Sequence, residues 1–235
     1  MTTTFAQLGV PQDLIDALAS QGIESPFAIQ ILAIGDAMAR RDVCGKAKTG
    51  SGKTLAFSLP AIAHTERNQQ GNPTTLVLTP TRELANQIAG VVGPLADVRK
   101  LRPIAVYGGT NIDKQMETIA NGIDIIIATP GRLIDLIDRG AIDVALVERV
   151  IIDEADRMAD MGFLPQVEWI LRHIHVDHQT MLFSATLDGA VDTVVKRHLA
   201  DPVFHEVSEP EVTVSEMGHV FMAVHKMNRV QVAAR

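Results

Sequence analysis

The segment Ala47-Lys48-Thr49-Gly50-Ser51-Gly52-Lys53-Thr54 decides the fold of this chain. A backbone that wraps a polyphosphate must bring several N–H groups within hydrogen-bonding distance with no Cβ in the way. Gly50 and Gly52 give that freedom, and Thr49 and Ser51 stand between and before them in the same cradle. Lys53 then sets a compact positive charge against the outer phosphates. The Thr54 hydroxyl suits a magnesium ion, at the start of a helix whose positive end faces the anion. Ala47 takes the place where the general pattern opens with Gly. Alone, the segment is also readable as a Gly-rich turn capping a helix.

The second informative stretch is Asp153-Glu154-Ala155-Asp156, directly after Val150-Ile151-Ile152. The apolar run reads as a buried parallel strand, and the ends of such strands in open α/β sheets face the ligand crevice. A carboxylate at Asp153 therefore needs a partner, and magnesium is the natural one. In isolation an Asp-Glu-x-Asp run also fits a solvated helix start.

Outward from these two segments, short Val- and Ile-rich runs at 75–78, 104–107, 123–128, 150–152 and 180–183 alternate with helical stretches. The helices are expected near 13–20, 29–39, 54–65, 82–92, 114–120, 133–138, 167–173 and 190–199. Such alternation is the pattern of βαβ units, so the expected fold is α/β, a mostly parallel sheet with helices on both faces. The alternation runs to about Val207, which sets a first domain at 1–207. Ser208-Glu209-Pro210-Glu211 reads as a polar linker. A strand at 220–224 and a helix start at 228–235 then read as the truncated beginning of a second unit spanning 208–235.

Composition narrows the class. At 235 residues and 46% apolar content the chain accommodates one large α/β domain or one domain plus a fragment. One cysteine, Cys44, excludes an internal disulfide and a cysteine-rich zinc site, and its apolar neighbourhood places it on a core strand. The N-terminus lacks a basic region followed by an apolar stretch, and no run has the length of a membrane span, so a cytoplasmic location is expected. The net charge of -7 argues against a broad electrostatic footprint for nucleic acid. Seven Phe, one Trp and one Tyr are too few for a base-stacking platform, so any nucleic-acid contact must be local.

Further segments in fixed order give the chain its resemblance. Residues 22–30 resemble the Q motif, followed by the phosphate loop, Pro80-Thr81-Arg82-Glu83-Leu84-Ala85, Gly108-Gly109, Thr129-Pro130-Gly131-Arg132, Asp153 to Asp156, and Ser184-Ala185-Thr186. The series resembles the first RecA-like, P-loop domain of the DEAD-box ATP-dependent RNA helicases over nearly the whole chain. One departure stands out: Phe27 follows Pro26 where the family usually carries Thr, so the hydrogen bond of that hydroxyl is lost.

The resemblance implies ATP and Mg2+ as cofactors and RNA as partner. Lys53 and Thr54 would hold phosphate and metal, Asp153 would coordinate the ion, commonly through water, and Glu154 would orient and deprotonate the attacking water. Gln30 offers a donor and an acceptor side by side, matching the N6 and N7 edge of adenine. Phe5 would stack on the base; as a residue before the first helix it is equally readable as a hydrophobic anchor. Asp156 would reach Ser184 and Thr186, linking nucleotide to RNA, although the tripeptide alone reads as a strand end and a helix cap with helix from Leu187. Thr81 and Arg82, Gly108 and Gly109, and Thr129, Pro130, Gly131 and Arg132 would meet the RNA backbone through helix N-termini and close glycine backbone. Ordinary capping is the plain alternative for each. The family's second RecA-like domain supplies arginines and the other half of the RNA groove, so this chain alone is expected to be nearly inactive. A non-catalytic, nucleotide-sensing RNA-binding module is the alternative of a different class. A non-helicase P-loop ATPase or kinase is a third, and it would leave Gln30 and the two helix-start segments as accidents.

Overall fold

The computed structural model describes residues 3–67, 72–174 and 177–207. The expected linker at 208–211, strand at 220–224 and helix at 228–235 lie outside the described residues. Seven strands form one sheet, β1 (Val43–Lys46), β2 (Thr75–Leu78), β3 (Pro103–Val106), β4 (Ile125–Ala128), β5 (Arg149–Asp153), β6 (Gln179–Ser184) and β7 (Val203–Glu206). Their order is β3-β4-β2-β5-β6-β1-β7, and every pairing is parallel. The helices are α1 (Gln12–Ser20), α2 (Ala28–Met38), α3 (Lys53–His64), α4 (Arg82–Val98), α5 (Ile112–Ala120), α6 (Pro130–Asp138), α7 (Ala155–Asp160), α8 (Leu164–Leu171) and α9 (Gly189–His198).

The strand period of two sorts the apolar side chains into two cores. Val77, Ile127, Ile151, Met181 and Phe183 face one side and pack with residues of α1 to α4. Leu76, Leu78, Ile126, Val150, Ile152 and Leu182 face the other and pack with α6 to α9. A strand buried on both faces leaves little room for polar side chains, which is why 76–78, 125–128 and 150–152 in β2, β4 and β5 read as continuous apolar runs.

Three elements depart from the sequence expectation. α4 continues past 92 to Val98 through Pro94. Losing one helical hydrogen bond at Pro costs about 3 kcal/mol, and the burial of Leu95 and Ala96 against the core offsets it. β7 was not expected because it is an edge strand whose positions alternate half-buried and exposed, held to β1 alone. α7 has six residues and an acidic start, too short for a 3.6-residue period to show.

Because all strands are parallel, the loops after β1 to β6 all emerge along one edge of the sheet. That edge gathers the phosphate loop, Thr81 and Arg82, the Gly108-Gly109 turn, Thr129 to Arg132, Asp153 to Asp156, and Ser184 to Thr186.

Candidate active site and nucleic-acid interface

The phosphate loop leaves β1 beside β6, to which the Ala47 N–H is tied by a 2.9 Å bond to the Ser184 carbonyl. Gly50 and Gly52 have φ of 84° and 89°, the left-handed region that L side chains resist. Lys53 opens α3, buried, with Nζ 3.1 Å from Glu154 Oε1. The Thr49 hydroxyl donates to the same oxygen at 2.9 Å. Arg157 Nη1 lies 3.9 Å from the other oxygen, Oε2. A side chain from the turn after β5 thus closes over the loop after β1, and both members of the ion pair are buried.

Glu154 is brought there by an unusual backbone: φ 56°, ψ 47°, left-handed at the start of α7. A non-glycine residue in that region costs about 1–2 kcal/mol, and strain of this kind concentrates at functional sites. Its neighbour Asp153 ends β5 inside the protein, with Oδ1 buried and lacking a hydrogen-bond partner. Burial pushes its carboxyl up to about 6; the Lys53 ammonium opposes this and the Glu154 carboxylate adds to it. An orphaned buried carboxylate oxygen at the mouth of a phosphate loop fits a divalent cation. Among the described residues no group of three or more His, Cys, Asp or Glu forms a cage for one. Such chemistry suits magnesium, which takes one or two carboxylates together with phosphate oxygens and water. Asp153 and Thr54 would hold it here.

Gln30, in the first turn of α2, is buried, and both ends of its amide are engaged. Its Oε1 accepts from the Phe27 N–H at 2.8 Å, and its Nε2 donates to the Gly52 carbonyl at 2.9 Å. Phe27 has no oxygen with which to cap α2, so Gln30 caps the Phe27 backbone instead and latches the helix to the phosphate loop. Phe5 is 2% exposed within the core beside Val10, Leu14 and Leu18. Its burial is that of the hydrophobic anchor, while the base-stacking role stays an expectation of the resemblance.

Asp156 joins α7 to the end of β6: its N–H donates to Ser184 Oγ at 3.1 Å, and its Oδ2 accepts from the Ala185 N–H at 3.2 Å. The bond goes to the Ala185 backbone rather than to Thr186, which is exposed. The helix expected from Leu187, with its cap in the tripeptide, begins only at Gly189, and Asp188 is at its cap.

The helix-start segments line a separate cavity of about 450 Å³ with Arg82, Tyr107, Gly108, Thr129, Gly131 and Gln166 among its walls. Thr81 caps α4 by accepting from the Leu84 N–H at 3.3 Å. Thr129 makes no side-chain cap on α6, and Pro130 follows it at the first helical position with no N–H of its own. The first-turn N–H groups of Gly131 and Arg132 therefore carry the positive end of α6 towards this cavity. The Arg82 guanidinium stands 5.6 Å from the Tyr107 ring centre. Arg132 is held by Gln115 Oε1 at 2.7 Å and the Thr110 carbonyl at 3.2 Å. Gly109, at φ 81°, turns the chain behind Gly108. Tyr107, Gln115 and Gln166 were not singled out from the sequence. Gln166 sits at the start of α8 with no motif around it, and only the packing of α8 on α6 brings it to Gly131.

A parallel sheet with a phosphate loop, an acidic strand end and a cleft of helix N-termini on one edge defines a P-loop nucleotide-binding domain of the helicase type. The family model for DEAD/DEAH box helicases matches residues 27–194, and the chain belongs to that family. It is similar to the DEAD-box ATP-dependent RNA helicase CshA of Geobacillus kaustophilus, 34% identical over 233 residues, 99% of this chain and 50% of that protein. The pre-mRNA-processing ATP-dependent RNA helicase prp-5 of Neurospora crassa is 42% identical over 92% of this chain and 19% of that protein. The crystal structure of a DEAD box protein from Methanococcus jannaschii superposes with a TM-score of 0.83 at 30% identity, covering 100% of this chain and 63% of that one. The chain thus spans half or less of the length of these curated relatives. Among the described residues no helix is long and apolar enough to cross a membrane.

Proposed function

We propose that residues 1–207 are the nucleotide-binding half of an ATP-dependent RNA helicase, which hydrolyses ATP with magnesium to separate or remodel base-paired RNA. The observation that carries this reading is the convergence of Lys53, Asp153 and Glu154 beside an open cleft of helix N-termini on the same sheet edge.

Lys53 is paired with Glu154, and a triphosphate in the loop offers it stronger negative charge. Transfer of the ammonium to phosphate frees the Glu154 carboxylate to hold a water and accept its proton. Asp153, with the Thr54 hydroxyl, would hold magnesium, which when bound would neutralise phosphate charge. Asp156 carries any shift of the turn after β5 directly to Ser184 and Ala185 at the end of β6. The cleft at Thr81, Arg82, Gly108 and Thr129 to Arg132 presents backbone N–H groups and cations suited to phosphates and sugars, so RNA would be held with little regard to base sequence.

The relatives are about twice as long as this chain or longer, in keeping with a second domain that completes both sites. Residues 208–235 would lead into it, and this chain by itself would bind nucleotide and hydrolyse it barely. The test is RNA-stimulated ATPase measured on this chain and on the full-length protein. Turnover confined to the full-length protein, and lost with Glu154→Gln, supports the reading. Nucleotide and RNA uptake by the full-length protein without RNA-stimulated turnover would instead favour a nucleotide-sensing module without catalysis, and turnover indifferent to Glu154→Gln would remove Glu154 from the reacting groups.

A further inference from the structure

Arg149 and Gln179 begin β5 and β6 as register partners, so their side chains leave the sheet on one face. They stand at the edge where the strands start, opposite the phosphate loop. Both are buried, at 2% and 7% exposure, and both are incomplete. Arg149 Nε and Nη1 have no acceptor, and Gln179 Oε1 has no donor. The Gln179 amide cannot turn round to mend this, because its Nε2 already donates to the Ala37 and Arg41 carbonyls at 2.9 and 2.8 Å. A guanidinium does not shed its proton, so an unpaired donor and an unpaired acceptor stay side by side.

Both residues line a cavity of about 1010 Å³, with His64 among its other walls. Its rim carries both signs, with Arg40 and Arg41 beside Glu66, Glu148, Asp177 and Asp201, all of them exposed. The floor is different. The carboxylate of Asp42 there is already filled by the Thr180 and Ala200 N–H groups. Carbonyls at the ends of α2 and α3 are taken too, Met38 by His64 Nε2 at 2.9 Å and Ala63 by Arg99 Nη1 at 2.8 Å. Burial lowers the pKa of His64, and the charges of Arg149, Arg40 and Arg99 add to this against its bond to Met38. The charge left without an answer at the floor is therefore positive.

We propose that this floor is a site for a small oxyanion that also carries an O–H, inorganic phosphate being the simplest, with the Arg149 guanidinium donating to the anion and the anion's O–H donating to Gln179 Oε1. Phosphate keeps an O–H near neutral pH, whereas sulfate and carboxylates have none. Arginine is the side chain best suited to hold such an anion. Glu148 covers the guanidinium through one 3.2 Å bond to Nη2 and is itself half exposed. Arrival of the anion displaces it into solvent and opens the guanidinium.

The test is calorimetric titration of the whole chain with sodium phosphate at constant ionic strength, the phosphate loop being filled with MgADP. Arg149→Met should weaken phosphate uptake at least about ten-fold. Glu148→Gln, which removes the competing carboxylate, should strengthen it about three-fold; this surface change carries the test if the Arg149 variant is unstable. Sulfate, of the same shape, should bind about ten-fold more weakly than phosphate. Lys53→Ala, titrated without nucleotide, should keep the phosphate affinity of this site. No uptake up to about 10 mM phosphate overturns the inference, since water alone would then bridge Arg149 and Gln179. Affinity indifferent to Arg149→Met or to Glu148→Gln overturns it as well, as does uptake that disappears with Lys53→Ala, because the phosphate loop would then be the site. Sulfate bound as tightly as phosphate would remove Gln179 from the site and overturn the choice of anion.

Discussion

The two ends of the sheet treat buried charge in opposite ways. At the foot, where the strands begin, Asp42 is buried, and its two oxygens accept from the N–H groups of Thr180 and Ala200, both at 2.7 Å. Asp124 is buried and held by Arg102 through both oxygens at 3.0 Å, with the Arg102 N–H adding a bond at 2.9 Å. Each of these carboxylates is satisfied by the chain around it and fixes where strands start. At the opposite edge Asp153 keeps an oxygen with no partner, and the Lys53 ammonium is paired with Glu154 across two loops. A charge completed by its own fold is structural. One left incomplete holds a place for something that arrives.

The sharpest way to break this contrast is Glu154→Gln. It removes the proposed base and leaves the shape, so RNA-stimulated ATPase of the full-length protein should fall by at least about a hundred-fold, with MgADP affinity of this chain retained. Loss of binding in step with turnover would mean that Glu154 only supports the loop.

At the foot, Asp42→Ala leaves two buried N–H groups without acceptors and should lower unfolding free energy by about 2–5 kcal/mol. Denaturant titration measures this, and nucleotide affinity of the folded fraction should not change. Asp153→Asn should act the other way on stability. The folded carboxyl sits at about 6 against an ordinary value of 3.8, so its stabilising proton is fully present below the lower value and lost as pH rises through the higher. At pH 7.5 the asparagine form should be more stable by about 2–3 kcal/mol, with a flatter pH dependence between 4 and 6 and without magnesium-dependent gain in nucleotide affinity. A less stable Asp153→Asn would show that the buried charge is satisfied after all.

The smallest effect is expected at Arg149, the exception at the foot. It is 2% exposed, reaches Glu148 through one nitrogen at 3.2 Å, and leaves Nε and Nη1 unpartnered. Burial lowers its pKa, with Glu148 opposing. Replacing so poorly compensated a charge by an apolar side chain of similar reach is often neutral or stabilising. Arg149→Met should therefore change stability by no more than about 1 kcal/mol; a large loss would place Arg149 with the satisfied foot residues.

Much of the site was legible because the chemistry lies in short, local strings. The loop from Ala47 to Thr54 announces itself by glycine spacing, and Asp153 by the apolar strand that it ends. The two helix starts show as Thr81 before Arg82 and Thr129 before Pro130. What escaped had no local signature. The polar edge strand β7, the six-residue α7 and the continuation of α4 through Pro94 are all held by distant packing that outweighs local preference. Phe5 and Phe27 make the point for side chains, since both precede a helix as exposed-looking aromatics, yet one is in the core and the other on the surface.

The sequence by itself determined the class of fold and the candidate site residues, because strand periodicity, glycine freedom and carboxylate placement act over a few neighbouring residues. Only the tertiary structure decided which groups meet: that Glu154 closes on Lys53 and Thr49, that Asp156 ties to Ala185, and that Gln30 latches onto Gly52. Those contacts join residues far apart in the chain. They depend on the order in which seven parallel strands pack, which no single segment encodes.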